Sequence, residues 1–291
     1  LKKKLFISFV LEAKKRGISV NVGTNSLLID DYMTDFIIEN VDIKRNLYSK
    51  LESEMKSTAI LATNTSSIKL EVLSAEMQNP ERLVGIHFFN PVAKMPLIEV
   101  IYSPVTSTEV IEKSLAFCRH IDKLPLKVKS SPGFLVNRVL MPTLIEAINM
   151  LDEGCLKEEI DASFTDFGMP MGPLKLADTV GLDVCYFVMD TICEELGLKI
   201  PERLERLVEN GNLGVKSGVG FYIHDVYAEK THGNPKLEIT SRLVKVMIDE
   251  CEKCLSEGIV ESADLIDAGI IFGTGFAPFR GGPLHYSEEK T

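Results

Sequence analysis

Two ionisable residues near the middle of the chain, His87 and Glu99, have the types and spacing of a catalytic pair. His87 ends one apolar run, and Glu99 lies 12 residues further on inside the next, with Asn90-Pro91 turning the chain between them. On adjacent strands a carboxylate can fix one imidazole nitrogen, which leaves the other nitrogen to act as a general base near neutral pH. The spacing leaves a second interpretation open: a satisfied, half-buried histidine with Glu99 on the surface.

The elements around this pair predict an α/β unit. Residues 35–40 (DFIIEN) and 58–63 (TAILAT) have the pattern of buried strands, and the amphipathic segment 41–56 between them has that of a helix. Further strands are predicted at 83–88, 97–102 and 125–128, with a helix at 107–121. Because strands alternate with helices, we expect a parallel sheet.

After about residue 130 the pattern becomes helical. Apolar residues recur at three- and four-residue spacing from Leu135 to Leu151, which predicts one long helix with a kink near Pro142. More helices are expected to about Gly211. A glycine-rich turn and a short strand over 214–223 then close the unit.

The helical part contains an internal repeat. LMPTLIEAINMLDEG (140–154) matches VKVMIDECEKCLSEG (244–258) at a constant offset of 104 residues, and GMPMGPL (168–174) resembles GFAPFRGGPL (275–284). Two such copies can pack their apolar faces on each other. The sequence therefore predicts an α/β domain (1–129), a first helical domain (130–232) and a second, truncated helical copy (233–291).

Composition excludes several classes of protein. The 291 residues are 45% hydrophobic and 25% charged, as in a globular protein of about two domains. The net charge of -10 argues against nucleic acid as a partner, and no apolar run is long enough to predict a membrane span. Six cysteines without a framework indicate buried thiols in the cytoplasm, and the C-x-x-C at Cys251 and Cys254 indicates core packing rather than a metal or redox site.

Four motifs occur in order along the chain: NTSSI (64–68), HFFNPVAKMPLIEV (87–100), SPGFLVNRVLMP (131–142) and PMGPLKLADTVGLD (170–183). With them the chain resembles the 3-hydroxyacyl-CoA dehydrogenase family of fatty-acid β-oxidation, from about Asp35 to the end. GTGFAPFRGGPLHY (273–286) is similar to the second helical repeat of the large multifunctional members. The resemblance implies an incomplete Rossmann-type sheet domain followed by duplicated helical domains of the 6-phosphogluconate-dehydrogenase-like type.

The resemblance also implies a role for each candidate site residue. His87 would take the proton from the 3-hydroxyl of the substrate, and Glu99 would orient His87. Ser66 would hydrogen-bond the reacting oxygen beside the nicotinamide, and Asn137 would hold the substrate oxygen. Asn90 would lie near the nicotinamide ribose. The ordinary alternatives are a turn or cap serine, a polar residue at a helix end, and an asparagine that forms a turn before proline.

For the cofactor, the resemblance implies NAD, with Glu39 and Lys44 as candidate contacts. Taken alone, Lys44 predicts a solvated helix face. A dinucleotide fold uses a G-x-G-x-x-G turn to bring the backbone close to the pyrophosphate. The chain contains no such turn, and its only glycines before residue 85 are Gly17 and Gly23. If these residues are the whole polypeptide, the adenosine half of the cofactor site is missing.

Three functional hypotheses follow. The first is a dehydrogenase of (3S)-3-hydroxyacyl-CoA, active as a homodimer or with a complementing polypeptide that carries the dinucleotide-binding half. The second is a non-catalytic remnant or an acyl-CoA-binding or assembly module, and the Leu1 start agrees with a fragment or an unusual start codon. The third is a β-hydroxyacid dehydrogenase that acts on a small carboxylic acid; HFFNP argues against it, because that family is described as using a lysine.

Overall fold

The chain forms two compact units, Leu1–Phe134 and Leu135–Thr291. The structure is a computed structural model that describes residues 18–21, 41–56, 58–224 and 233–289. The strand predicted at 35–40 and the candidate Glu39 lie outside these described residues. In the described part of the chain, no helix has the length and apolar character needed to cross a membrane.

Within its described residues, the first unit is built on a sheet of five strands in the order β1-β2-β3-β4-β5. The strands are β1 (Ile18–Asn21), β2 (Ile60–Thr63), β3 (Leu83–Phe88), β4 (Leu97–Tyr102) and β5 (Leu124–Lys129). The helices are α1 (Val41–Glu54), α2 (Leu70–Ser74) and α3 (Thr108–His120). Strands β2, β3 and β4 are buried along almost their whole length, which explains why their sequences are apolar without alternation. The predicted bounds of β3 and β4 are confirmed.

The sheet is mixed. The pairs β1–β2, β2–β3 and β4–β5 are parallel, as expected, but β3 and β4 are antiparallel. Residues 89–96 are the whole link between β3 and β4, and so short a link cannot form the crossover that a parallel pair needs. The longer connection from β4 to β5 contains α3 and returns the chain to a parallel neighbour.

The core of the first unit contains residues of the sheet and of α3. Val84 and Ile98 of the central strands are fully buried and belong to the same apolar cluster as Phe117 of α3. Helix α3 begins after Ser107, whose Oγ accepts a hydrogen bond from the Val110 backbone N–H at 3.3 Å. This cap satisfies one of the four N–H groups left without a partner at a helix start.

The second unit is helical. Its helices are α4 (Val136–Asp152), α5 (Lys157–Phe167), α6 (Pro173–Val180), α7 (Leu182–Leu196), α8 (Glu202–Glu209), α9 (Leu237–Ser256), α10 (Ala263–Thr274) and α11 (Pro283–Glu288). Helix α4 is the predicted long helix, with Pro142 inside it.

The short strand predicted within 214–223 is wrong. The segment forms a 3-10 turn at Val215–Ser217 and isolated β-bridges. The buried carboxylate of Asp178 accepts hydrogen bonds from the backbone N–H groups of Phe221 and Tyr222, both at 2.9 Å. These groups are therefore satisfied by a side chain, and no neighbouring strand is required.

The two helical copies share a local structure as well as a sequence pattern. In the first copy, Asp161 accepts hydrogen bonds from the Leu174 and Lys175 N–H groups at 2.9 and 3.2 Å, at the start of α6. In the second copy, Asp267 accepts from the Leu284 and His285 N–H groups at 2.8 and 3.0 Å, at the start of α11. Each aspartate thus caps the helix that begins at its Gly-Pro-Leu sequence.

The long helices of the two copies exchange equivalent ion pairs, in which an arginine of each helix binds two glutamates of the other. The positions in α4 and its C-cap are Arg138, Glu146 and Glu153, and the equivalent positions in α9 and its C-cap, 104 residues later, are Arg242, Glu250 and Glu257. Arg138 and Glu250 are both buried, whereas the Arg242 side chain is 41% exposed. We call these two sets of contacts the reciprocal clamps.

Candidate active site

The antiparallel pairing of β3 and β4 places His87 directly opposite Glu99. Residues that face each other across two strands project to the same side of the sheet. His87 Nδ1 lies 2.7 Å from Glu99 Oε2, within hydrogen-bond distance. Glu99 is completely buried, so the interpretation that places it on the surface is wrong.

The environment of the pair determines which nitrogen of His87 is available for chemistry. A buried carboxylate requires a hydrogen-bond donor, which the Nδ1–H group of His87 supplies, and Nε2 is the ring nitrogen that Glu99 does not engage. Phe89 and Phe134 contact the imidazole edge-on, with ring centroids 4.7 and 5.6 Å away. His87 itself is 5% exposed. The ring is therefore held by a carboxylate and two aromatic side chains, in an orientation that suits a proton acceptor.

Ser66 lies in the turn that follows β2, the strand next to β3 in the sheet. Thr65 shapes this turn, because its Oγ1 accepts a hydrogen bond from the Ile68 N–H at 3.2 Å. Ser66 is half-buried, whereas Ser67 is fully buried. In the described part of the chain the Ser67 Oγ has no hydrogen-bond partner. Polar groups thus collect where the carboxyl ends of two parallel strands meet, which is where ligands bind in α/β sheets.

Helix α1 supports this turn through two residues that the sequence did not assign to it. Lys44 is 3% exposed and its Nζ donates to the Asn64 carbonyl at 3.0 Å, so the predicted solvated face for Lys44 is wrong. One helical turn later, the buried Tyr48 hydroxyl hydrogen-bonds Thr63 Oγ1 at 2.6 Å. The sequence did contain a signal for this arrangement. Tyr48 lies four residues after Lys44, and residues at that spacing share a helix face, so a buried tyrosine indicates that the lysine faces the same side.

The remaining candidates are placed as follows. Asn90 is exposed and comes directly after Phe89, beyond the end of β3. Asn137 belongs to the second unit, where it is the second residue of α4 and is half-buried. Lys216, at the glycine-rich turn, pairs with Asp183 at 2.6 Å.

The C-x-x-C pair is part of the core of the second unit, as predicted. Cys251 and Cys254 are both fully buried in α9, and burial raises the pKa of the Cys251 thiol well above its usual value. A thiol in that state supplies neither a nucleophile nor a metal ligand. No cluster of three His, Cys, Asp or Glu side chains suited to a metal ion occurs among the described residues.

Comparison with known proteins identifies the family of this chain. Residues 9–131 match the NAD-binding domain of 3-hydroxyacyl-CoA dehydrogenase, and residues 133–224 match the C-terminal domain of the same enzyme. The chain belongs to the 3-hydroxyacyl-CoA dehydrogenase family. A fatty acid oxidation complex subunit alpha from Vibrio parahaemolyticus is 36% identical in an alignment 303 residues long, gaps included, which covers 99% of this chain.

This family member spans about 43% of the length of that curated relative. Among solved structures, 3-hydroxybutyryl-CoA dehydrogenase from Escherichia coli K12 is similar with a TM-score of 0.78 and 26% identity, over 87% of this chain and 73% of that one. The (S)-3-hydroxybutyryl-CoA dehydrogenase from Ralstonia eutropha has a TM-score of 0.62 and 37% identity, over 64% and 68%.

Proposed function

We propose that this 3-hydroxyacyl-CoA dehydrogenase family member catalyses the reversible oxidation of a (3S)-3-hydroxyacyl-CoA to the 3-oxoacyl-CoA. The buried hydrogen bond between His87 and Glu99 is the observation that carries the proposal. It supplies an imidazole with one free nitrogen and a carboxylate that can compensate a positive charge. Membership of the family makes a 3-hydroxyl group the natural source of the proton.

In the oxidation, His87 Nε2 accepts the proton of the substrate 3-hydroxyl as the carbon–oxygen double bond forms. The resulting imidazolium is stabilised by the Glu99 carboxylate, whose oxygen accepts the Nδ1–H bond. Ser66 and Asn137 would donate hydrogen bonds to the reacting oxygen, which carries partial negative charge in the transition state. In the reverse direction His87 returns the proton to the same oxygen.

The residues at the ends of β2 and β3 fit the nicotinamide end of NAD. The buried Ser67 Oγ lacks a partner in the described part of the chain, so a polar ligand group at this turn would satisfy it. Ser66 and Asn90 would hold the nicotinamide and its ribose, and Lys44 would stabilise the turn through Asn64. When bound there, NAD supplies the acceptor for the hydride from the substrate C3.

The proposal is tested by NADH oxidation with acetoacetyl-CoA, in wild type, His87→Gln and His120→Gln. His120 is the exposed last residue of α3, so its substitution is a matched control. Loss of a general base lowers rates by about 100-fold to 10,000-fold. We expect that loss in His87→Gln and an unchanged rate in His120→Gln. A His87→Gln variant with wild-type activity would refute the assignment of the base.

The alternative candidate function is an acyl-CoA-binding or assembly module, or a non-catalytic remnant, and experiment separates it from the dehydrogenase. A folded wild-type chain without NADH-dependent turnover would support an acyl-CoA-binding or assembly module, or a non-catalytic remnant. Turnover that appears only when a dinucleotide-binding fragment is added would instead support a complementing polypeptide. Binding of acetoacetyl-CoA in the absence of turnover separates the binding module from the remnant.

Assembly and location belong to the same proposal. We infer a homodimer, which size-exclusion chromatography with light scattering tests. The curated relative is a subunit of a fatty acid oxidation complex, which makes further protein partners part of the proposal. The six free cysteines, five of them buried, agree with a reducing compartment such as the cytoplasm.

A further inference from the structure

Arg138 follows Asn137 in the first turn of α4 and connects that turn to the other helical copy. Arg138 as a whole is 2% exposed. Nε donates to Glu250 at 2.9 Å, and Nη1 and Nη2 both donate to Glu257 at 2.6 Å. Both glutamates lie at the end of α9, Glu250 within the helix and Glu257 as its C-cap residue. The turn that carries the proposed substrate contact is therefore anchored to the second copy.

Helix α4 lacks one of its own backbone hydrogen bonds near its first turn. Pro142 has no backbone N–H, so the Arg138 carbonyl, four residues earlier, loses its hydrogen bond within the helix. The N-cap residue Leu135 supplies no side-chain cap, and the first turn contains no acidic residue. The bonds from Arg138 to α9 thus supply an external anchor where helical bonding is incomplete.

The equivalent arginine in the other copy lacks these features. Arg242 is the sixth residue of α9, so a full turn of helix precedes it, and its side chain is 41% exposed. The position equivalent to Pro142 is Val246, which keeps its N–H group, and the position equivalent to Asn137 is Ser241. The reciprocal clamps therefore have the same residue types, but only the arginine of the first is buried, and only that arginine follows an asparagine in the sequence.

We propose that Arg138, held by Glu250 and Glu257, is a positioning residue for Asn137, and that the second helical copy thereby sets the contact to the 3-oxygen of the acyl-CoA. The inference rests on the proposed function, in which Asn137 binds that oxygen. It assigns the second copy a role in recognising the 3-oxygen, beyond the burial of apolar surface.

The test compares Glu257→Gln with Glu153→Gln in the full chain. The two glutamates are equivalent in the repeat, are 47% and 51% exposed, and each binds an arginine with both carboxylate oxygens. Calorimetry measures the Kd of each variant for acetoacetyl-CoA and for butyryl-CoA, which lacks the 3-oxygen. The readout is the preference, the ratio of the two Kd values, which a uniform loss of stability does not change.

We expect Glu257→Gln to reduce the preference for acetoacetyl-CoA by about twofold to tenfold, the effect of one hydrogen bond. Glu153→Gln should keep the wild-type preference, and the Kd for butyryl-CoA should be the same in both variants. Arg138→Lys, which keeps the charge but loses the planar fork, should reduce the preference as Glu257→Gln does. Urea unfolding checks that both glutamine variants are folded under the conditions of the calorimetry, and a lower midpoint in Glu257→Gln, whose arginine is buried, leaves the ratio of Kd values interpretable.

Three outcomes would overturn the inference. An equal loss of preference in Glu257→Gln and Glu153→Gln overturns the inference, because the effect is then general loosening of the helices. If Asn137→Ala removes the preference while Glu257→Gln and Arg138→Lys keep it, the inference fails and the proposed function stands. If the wild-type chain binds neither ligand, or binds both equally, the proposed function fails and the inference fails with it.

Discussion

Replacing Arg138 by methionine should destabilise the helical unit far more than the same change at Arg242. Glu250 is 3% exposed. Without Arg138, its one remaining ion-pair partner in the described part of the chain is Lys253, whose ammonium lies 2.9 Å away. Breaking a buried pair in this way costs about 3–5 kcal/mol. Arg242 pairs with glutamates that are 19% and 51% exposed, and such exposed pairs contribute about 0–1 kcal/mol.

Urea unfolding followed by far-ultraviolet circular dichroism measures the difference. With a slope of about 2 kcal/mol per molar urea, the midpoint should fall by about 2 M in Arg138→Met and by less than about 0.5 M in Arg242→Met. The double variant Arg138→Met/Glu250→Leu should recover most of the loss, because it leaves no unpaired buried charge. Equal midpoints for the two methionine variants would refute the argument that burial sets the strength of each clamp.

Two further predictions concern the cap on α6. A Cβ at Gly172 would lie 2.2 Å from the Asp161 carboxyl group, so Gly172→Ala should destabilise the unit by about 1–3 kcal/mol in urea unfolding; an unchanged midpoint would contradict this contact. Burial raises the pKa of Asp161 to about 6, although hydrogen bonds from Tyr222 and from the Leu174 N–H act to lower it. A raised pKa in the folded state means that stability present at low pH is lost as the pH rises. Wild type should therefore lose about 3 kcal/mol relative to Asp161→Asn between about pH 4 and pH 7, and a pH-independent difference would count against it.

Local patterns predicted much of the fold. The apolar runs at 83–88 and 97–102 are strands with the predicted bounds, and the similarity between GMPMGPL and GFAPFRGGPL corresponds to α6 and α11, which begin with the same aspartate cap. These signals are readable because a strand or a helix start depends on neighbours only a few residues away. The glycine-rich segment at 214–223 failed as a strand because its N–H groups bind Asp178, at least 43 residues earlier.

The candidate site was partly readable for the same reason. The residue types at His87 and Glu99 indicated a carboxylate-oriented base, and their 12-residue separation allowed adjacent strands. The burial of Lys44 and its bond to the Asn64 carbonyl could not be read, because a lysine on a polar helix is ordinarily solvated. Its partner lies 20 residues away, on a turn whose position depends on the packing of α1.

The sequence by itself determined the family, the residue types of the candidate catalytic pair and the duplication of the helical unit, because each is written in residue types at short or constant spacing. Tertiary structure alone decided that β3 and β4 pair in the register that brings Glu99 opposite His87 in a buried environment. It also decided that Arg138 is buried against carboxylates 112 and 119 residues away, while its equivalent Arg242 stays partly in solvent. Burial depends on what packs over a residue, and two residues of the same type in the same repeat therefore have different energetics and, we infer, different functions.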